Sequence, residues 1–312
     1  MRSTTPEIRA SFRGAQQSPL ELIRDGFQEI WSRRRLARYL VQADLTKKGS
    51  DTLLGNIWWV LDPLLQMVVY VVFVEIITSR SLPAYPLFIF AAILPWKWFS
   101  SSVGDAITAV TSQERIIKQV HFPKLVLPVA SVLSGIVNFA FGLIPLAGLM
   151  ILFFASYISP WLVLIPIIAF VQFVFTLAIS LYLSAINVFF RDVGNVVRNL
   201  LRLVFYLSPS LYSVAQLKSF TERSRVMDAI FSLNPFTPLL ESYRNVIYYQ
   251  QSPEWTGLGV LLAISVVLLL GGLIFFKRSE PSFAKVLGTS SRGRHRPTRS
   301  TSTTSASDTT SG

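Results

Sequence analysis

Few residues of this chain combine the type and the spacing that chemistry needs. Asp62 and Glu75 are two acids in one apolar stretch, where a carboxylate is costly unless it faces protein or water. They are the candidates for a proton relay, yet on a helix they stand roughly twenty ångströms apart. Capping or water-facing positions are the alternative. His121 stands alone beside Phe122-Pro123 and His295 lies near the C-terminus, so no His or acid cluster has metal-ligand spacing. No G-x-x-x-x-G-K-[ST] run is present to cradle nucleotide phosphates, and no carboxylate pair is placed for glycoside hydrolysis. The absence of cysteine excludes disulfides and thiol chemistry. The chain reads as no enzyme by itself, without a metal or cofactor of its own: a passive conduit moved by something else.

The remaining charges mark places to dock or to line rather than to react. Glu114, Arg115 and Lys118 fall in a short segment of mixed polarity between two long apolar blocks. We read Val110–Val120 as a short helix on the cytoplasmic face, where a partner docks and does work on the spans either side. Arg198 and Arg202 lie in the first two turns of a later apolar stretch. Their guanidinium groups either snorkel to lipid phosphates or face a wet vestibule. Glu241 and Arg244 are three apart on a short predicted helix, close enough to pair.

The elements that must hold these residues are transmembrane helices. The chain is 51% hydrophobic and 15% charged, with mean hydropathy +0.48, whereas a soluble domain carries about a quarter charged residues. Several blocks reach the roughly 20 apolar residues that cross a hydrocarbon core. We therefore expect an all-α integral membrane protein. Its net charge of +12 fits cytoplasmic loops and anionic lipid heads, not nucleic acid. Residues 1–17 read as disordered. Residues 18–44 read as an amphipathic helix opened by Ser18-Pro19-Leu20-Glu21, a capping box with proline at the first position. Its apolar face, Leu20, Ile23, Phe27, Ile30 and Trp31, lies in the membrane interface or on another protein.

Six spans are predicted at about 57–78, 85–106, 124–154, 161–190, 196–213 and 255–276. Pro95-Trp96-Lys97 interrupts the second, which predicts a broken helix or one lining a cavity. Asp192 is placed to cap the fifth. Residues 214–251 read as short outer-face helices, and 288–312 as a disordered Ser/Thr/Arg-rich tail. Basic residues crowd the side that holds both termini, which makes that side cytoplasmic.

Several blocks carry a resemblance. Leu54-Gly55 through Trp59, followed by Asp62-Pro63-Leu64, resembles the first-span signature of ABC-2-type permeases that export polysaccharides. Leu94-Pro95-Trp96 with Phe99, Ile117-Lys118 to Phe122-Pro123-Lys124, Leu127-Pro128, Phe189-Phe190-Arg191-Asp192, Ser208-Pro209, Asn234-Pro235 and Tyr243-Arg244 follow in the family's order. Phe276 to Phe283, with Arg278, Glu280 and Ala284, resembles its closing block. The likeness runs from about Leu45 to Leu287. It departs at Asp62, where the family often has Asn, at Asp44, where a basic residue is often seen, and in the tail.

The resemblance implies a domain of six spans over 45–287, an interfacial N-terminal helix and gate helices between spans five and six, where Glu241 and Arg244 fall. It implies a homodimer in the bacterial plasma (inner) membrane with two separate ATPase subunits, which hold the ATP and Mg. Val110–Val120, with Glu114, Arg115 and Lys118, would be the coupling helix, joined by the Arg191-Asp192 turn. The implied cargo is a lipid-linked polysaccharide of O-antigen, teichoic acid or galactan type. Such a polymer needs a wet groove, because each unpaired hydroxyl in hydrocarbon costs several kcal/mol. Tyr70, Phe73, Phe205, Tyr206 and Tyr212 are the aromatic candidates to line it; lipid-facing or core positions are the alternative. Arg198 and Arg202 are candidates for the carrier's diphosphate, or for ordinary lipid heads. Two other classes remain: an ion-coupled lipid-oligosaccharide flippase and a drug- or lipid-exporting ABC-2 permease. The Phe190-Arg191-Asp192 and Leu94-Pro95-Trp96 elements favour the polysaccharide branch.

Overall fold

The structure is a computed structural model that describes residues 18–49, 55–78, 83–119, 122–211 and 234–292. Among the described residues there are α-helices, short 3-10 turns and no strand. The helices are α1 (Pro19–Ser32), α2 (Arg34–Gly49), α3 (Trp58–Thr78), α4 (Tyr85–Ser112), α5 (Glu114–Gln119), α6 (Val126–Phe153), α7 (Ile165–Phe189), α8 (Val193–Leu207), α9 (Phe236–Ile247) and α10 (Trp255–Arg292). Tyr85–Ser112, Val126–Phe153, Pro160–Phe189 and Trp255–Phe283 are each long and apolar enough to cross a membrane. The protein is therefore a multi-pass helical membrane protein. α3 adds an apolar run over Trp58–Phe73. α8 has 15 residues, about 22 Å of helix, and ends before the predicted 213. Tyr212 lies outside the described residues.

α4 is the central post. Leu87 to Ile93 are wholly buried, as expected of a helix apolar on every side. α3, α6, α7, α8 and α9 all pack against it. Of the two expectations at Pro95, a break or a lined cavity, the break is absent: α4 runs through it as one helix. The proline costs one helical hydrogen bond, but its surroundings hold it: Gln172 Nε2 on α7 donates to Pro95 O at 2.7 Å. Trp96 and Phe99, from the same motif, join Phe175, Phe205 and Phe236 in an aromatic core with centroid spacings of 4.7–5.7 Å.

Glycines set the closest approaches. On α6, a Cβ at Gly135 would overlap Ser102 Oγ and lie 2.9 Å from Trp98 Cδ1, and one at Gly142 would strike Leu94. These two glycines, seven apart on one face, let α4 and α6 close together, the small-residue packing usual between membrane helices. On α10, Gly272 gives the same access to Tyr182 and Leu181 of α7.

The N-terminal helix begins as its sequence dictates. Glu21 N donates to Ser18 Oγ at 3.3 Å and Ser18 N donates to Glu21 Oε2 at 3.0 Å. The expected single helix over 18–44 is two, parted at Arg33. α1 buries Leu22 and seats Gly26 against Leu273 and Leu125, while Leu20, Phe27 and Trp31 stay exposed. Lys277 ion-pairs with Glu29 and, at 3.4 Å, with Glu280, whose Oε1 also accepts from Lys124 N at 3.0 Å. The Phe122-Pro123-Lys124 and closing blocks thus meet under α1.

Candidate functional site

Two places gather the candidate residues: the turn around α5, and a set of polar faces on α3, α4 and α8. The expected coupling helix is shorter than Val110–Val120. Val110 to Ser112 finish α4, and α5 is Glu114–Gln119 after a break at Gln113. Glu114 Oε2 accepts from Arg191 Nη2 at 3.3 Å, so two of the candidates from distant parts of the chain meet. The side chains of Arg115 and Lys118 lie outside the described residues, as does His121. Asp192 does not cap α8 with its carboxylate. Asn187 does the work instead: its Oδ1 accepts from Gly194 N at 3.3 Å while its Nδ2 donates to Ile107 O at 2.9 Å. One buried amide thereby fixes the turn between α7 and α8 against α4. A cleft of about 260 Å³ opens there between Thr108, Thr111 and Ser112 on one side and Arg191, Asn195 and Arg198 on the other.

α8 has three faces. Gly194, Val197 and Phe205 are buried, and Val196, Leu200, Leu203 and Leu207 are exposed and apolar. Between them runs a wholly exposed polar stripe of Asn195, Arg198, Asn199, Arg202 and Tyr206. The C-terminal half of α4 carries a second stripe: Lys97, Ser101, Gly104, Asp105, Thr108 and Ser112 recur at helical spacing on its one unburied arc. α3 carries a third, with Asp62, Gln66 and Tyr70 at intervals of four.

Three contacts join the stripes. Asp62 on α3 ion-pairs with Lys97 on α4. The cleft joins α4 to α8. Tyr70 lies beside Gln66 and Tyr206, and its ring is 5.6 Å from that of Phe205. Charges in an apolar bundle are tolerated where water or protein meets them, and the three stripes converge on one polar surface. Phe73 and Tyr206 are exposed beside it. Phe205 is a correction: it is 4% exposed, locked against Trp96 at 5.4 Å, and belongs to the core. The side chain of Glu75 lies outside the described residues.

The sequence allowed that α4 lines a cavity but did not name its polar face, whose signal is hydroxyls at helical spacing after Lys97. α2 closes over one end of it. Lys48 Nζ bonds Asp105 Oδ2 at 2.7 Å and Asp44 Oδ2 at 3.0 Å. Burial pulls the Lys48 ammonium down, but Asp105 and Asp44 outweigh it and hold it above its ordinary value.

At the other end of α8, three sequence motifs form one polar knot. Asn234 Nδ2 donates to Ser208 Oγ at 3.0 Å, and Asn234 Oδ1 accepts from Phe236 N at 2.9 Å. Arg244 is buried among backbone carbonyls: it donates to Pro209 O and, at 2.6 Å, to Ser210 O. Glu241, one turn before, is half-buried. Among the described residues no group of acids and histidines has metal-binding geometry.

No family model matches the chain. It is 34% identical over 258 residues, 83% of its own length and 97% of the relative's, to the O-antigen export system permease protein RfbA of Myxococcus xanthus. Two proteins of that name from Klebsiella pneumoniae are each 26% identical, over 251 and 248 residues, 80% of this chain and 93% of theirs. The agreement runs through nearly the whole of each relative. This chain belongs to the O-antigen export permeases, the ABC-2-type permeases of polysaccharide exporters.

Proposed function

We propose that this chain is the permease subunit of an ATP-driven exporter that moves a lipid-linked cell-surface polysaccharide from the cytoplasm to the outer face of the bacterial plasma membrane. The observation that carries the reading is the closed circuit of polar stripes on α3, α4 and α8, joined by Asp62–Lys97, by the cleft and by Tyr70–Tyr206. A hydroxyl-rich polymer needs such a surface, and lipid does not tolerate one. One chain supplies an open groove, and two copies about a two-fold axis close it into a channel. Six spans then follow, with α3 and the segment from α8 onward completing the four long ones. Both termini and the α5 turn face the cytoplasm.

The engine is a pair of separate ATPase subunits that hold ATP and Mg. α5, with Glu114, Arg115 and Lys118, seats in each, and the Glu114–Arg191 pair passes its displacement to α8 as a rigid-body step. Arg198 and Arg202 meet the anionic carrier at the inner mouth, while Glu241 and Arg244 hold the outer end of α8. The groove beside α1, about 990 Å³ and reaching Pro123 and Lys277, gives the ATPase a second foothold. The test is reconstitution of the full chain with and without a partner ATPase. Glycan export that requires the ATPase and ATP supports the reading. Export by the chain alone, driven by an ion gradient, refutes it.

A further inference from the structure

We infer that the cleft between the end of α4 and the turn before α8 is an anion site for a phosphate-bearing lipid head, and that its occupancy is reported to α5 through Arg191. Its inner-face orientation rests on the function proposed above. Two arginines, Arg191 and Arg198, and the hydroxyls of Thr108, Thr111 and Ser112 line the cleft, and no carboxylate does. Its roughly 260 Å³ falls below the ordinary range of about 300–1,000 Å³ for ligand pockets. That is too small for a sugar oligomer and suited to a phosphate or diphosphate.

Side chains do the binding here, not the helix end. The first amides of α8 are already spent: Gly194 N on Asn187 Oδ1, and Asn195 N and Val196 N on Asp192 O. Asn187 is 3% exposed and pins the turn to α4, and Arg198 bonds Asn195. Arg191 and Arg198 are seven residues apart, about two helical turns, and both line the one cleft. Planar guanidinium forks bind phosphate oxygens in pairs.

The Arg191 fork already touches Glu114 Oε2 at 3.3 Å. A phosphate in the cleft competes with that carboxylate for the same cation. A bound head therefore favours the arrangement in which α5 is released from the α7–α8 turn, and α5 held against the turn disfavours the head. The anion is an ordinary acidic phospholipid or the diphosphate of a lipid carrier, which share this chemistry.

The chain has no cysteine, so Ser112→Cys places a single thiol on the cleft rim. Its maleimide labelling rate is measured on the full chain in neutral-lipid nanodiscs, with inorganic pyrophosphate, farnesyl diphosphate, or phosphatidylglycerol added to the disc. Slower labelling with farnesyl diphosphate, lost in Arg191→Gln and in Arg198→Gln but kept in Arg278→Gln, an exposed cation outside the cleft, supports the site. Protection by the diphosphate alone assigns the carrier, and equal protection by phosphatidylglycerol assigns the common headgroup. No protection by any probe, or protection unchanged in both cleft variants, overturns the site. Glu114→Gln should lower the half-protecting concentration by about fivefold or more, the lower end of ordinary coupling between sites. An unchanged or raised concentration overturns the link to α5. These outcomes leave the reconstitution result untouched, so the two readings fail separately.

Discussion

Replacing Arg244 with methionine should unfasten the turn that follows α8. Arg244 is 2% exposed, and its Cζ lies 3.8 Å from the centroid of the Phe88 ring. Its donors reach Pro209 O, Ser210 O at 2.6 Å and Phe88 O at 3.4 Å. Phe88 sits inside α4, where its carbonyl belongs to the helical ladder, so the groups left unsatisfied are the two turn carbonyls. Each costs about 1–3 kcal/mol when buried and unbonded, and the lost contact with the ring adds about 2 kcal/mol. Methionine escapes the several kcal/mol spent on desolvating a guanidinium, so the net loss is about 2–4 kcal/mol. Arg244→Lys keeps the charge without the fork and should lose stability by less. The assay is thermal unfolding of the full chain in detergent, followed by size-exclusion profile, with hydrogen exchange at Ser210 and Leu211. A methionine variant that melts with the wild type, with the turn amides equally protected, would refute the reasoning.

Glu114→Arg or Arg191→Glu alone should abolish ATP-driven export, and the double swap should recover it. Arg191 is 44% exposed, so the pair is worth under about 1 kcal/mol in stability and all three variants should melt alike; a dead swap in a folded protein removes the coupling role. Gly135→Ala should cost about 1–3 kcal/mol by overpacking α4 against α6, with part recovered by Ser102→Gly; an unchanged melting temperature contradicts the close approach. Single cysteines at Asn199 and Arg202 should react with a membrane-impermeant maleimide while those at Leu200 and Leu203 stay inert; uniform labelling of the four rejects the polar stripe. Lys48 is held above its ordinary 10.5, so its hold on Asp105 is fully present below that pH. The hold is lost as pH rises through the elevated folded value, since the folded form then retains the extra proton. Hydrogen exchange of α2 should accelerate in that range, and Asp105→Asn should remove the dependence.

Much of the transmembrane body was legible because the membrane imposes a length and an apolar composition that a linear chain displays. The long helices α4, α6, α7 and α10 follow from uninterrupted apolar runs, and the Ser18–Glu21 cap follows from local spacing alone. Pro95 left two readings open, a break or a lined cavity, because a proline in isolation marks a break. Only its position in a fully packed helix, with Gln172 Nε2 on its carbonyl, shows that neighbours sustain the helix through it. Asp192 misled for a related reason: it stands where a capping acid should, but Asn187, distant by a turn of chain, takes the role. Phe205 and Tyr206 are adjacent aromatics of equal promise in sequence, yet one is locked in the core and the other is exposed.

From residue order alone came the class of protein and the motifs that mark its family. Which side chains share a groove was decided by the tertiary structure. Asp62 and Lys97, Glu114 and Arg191, Ser208 and Asn234 are remote in sequence, and each pair is joined only by how helices cross. Composition and period depend on each segment's own solvent, whereas a meeting of charges depends on the glycines and aromatic rings that set the distance between two helices.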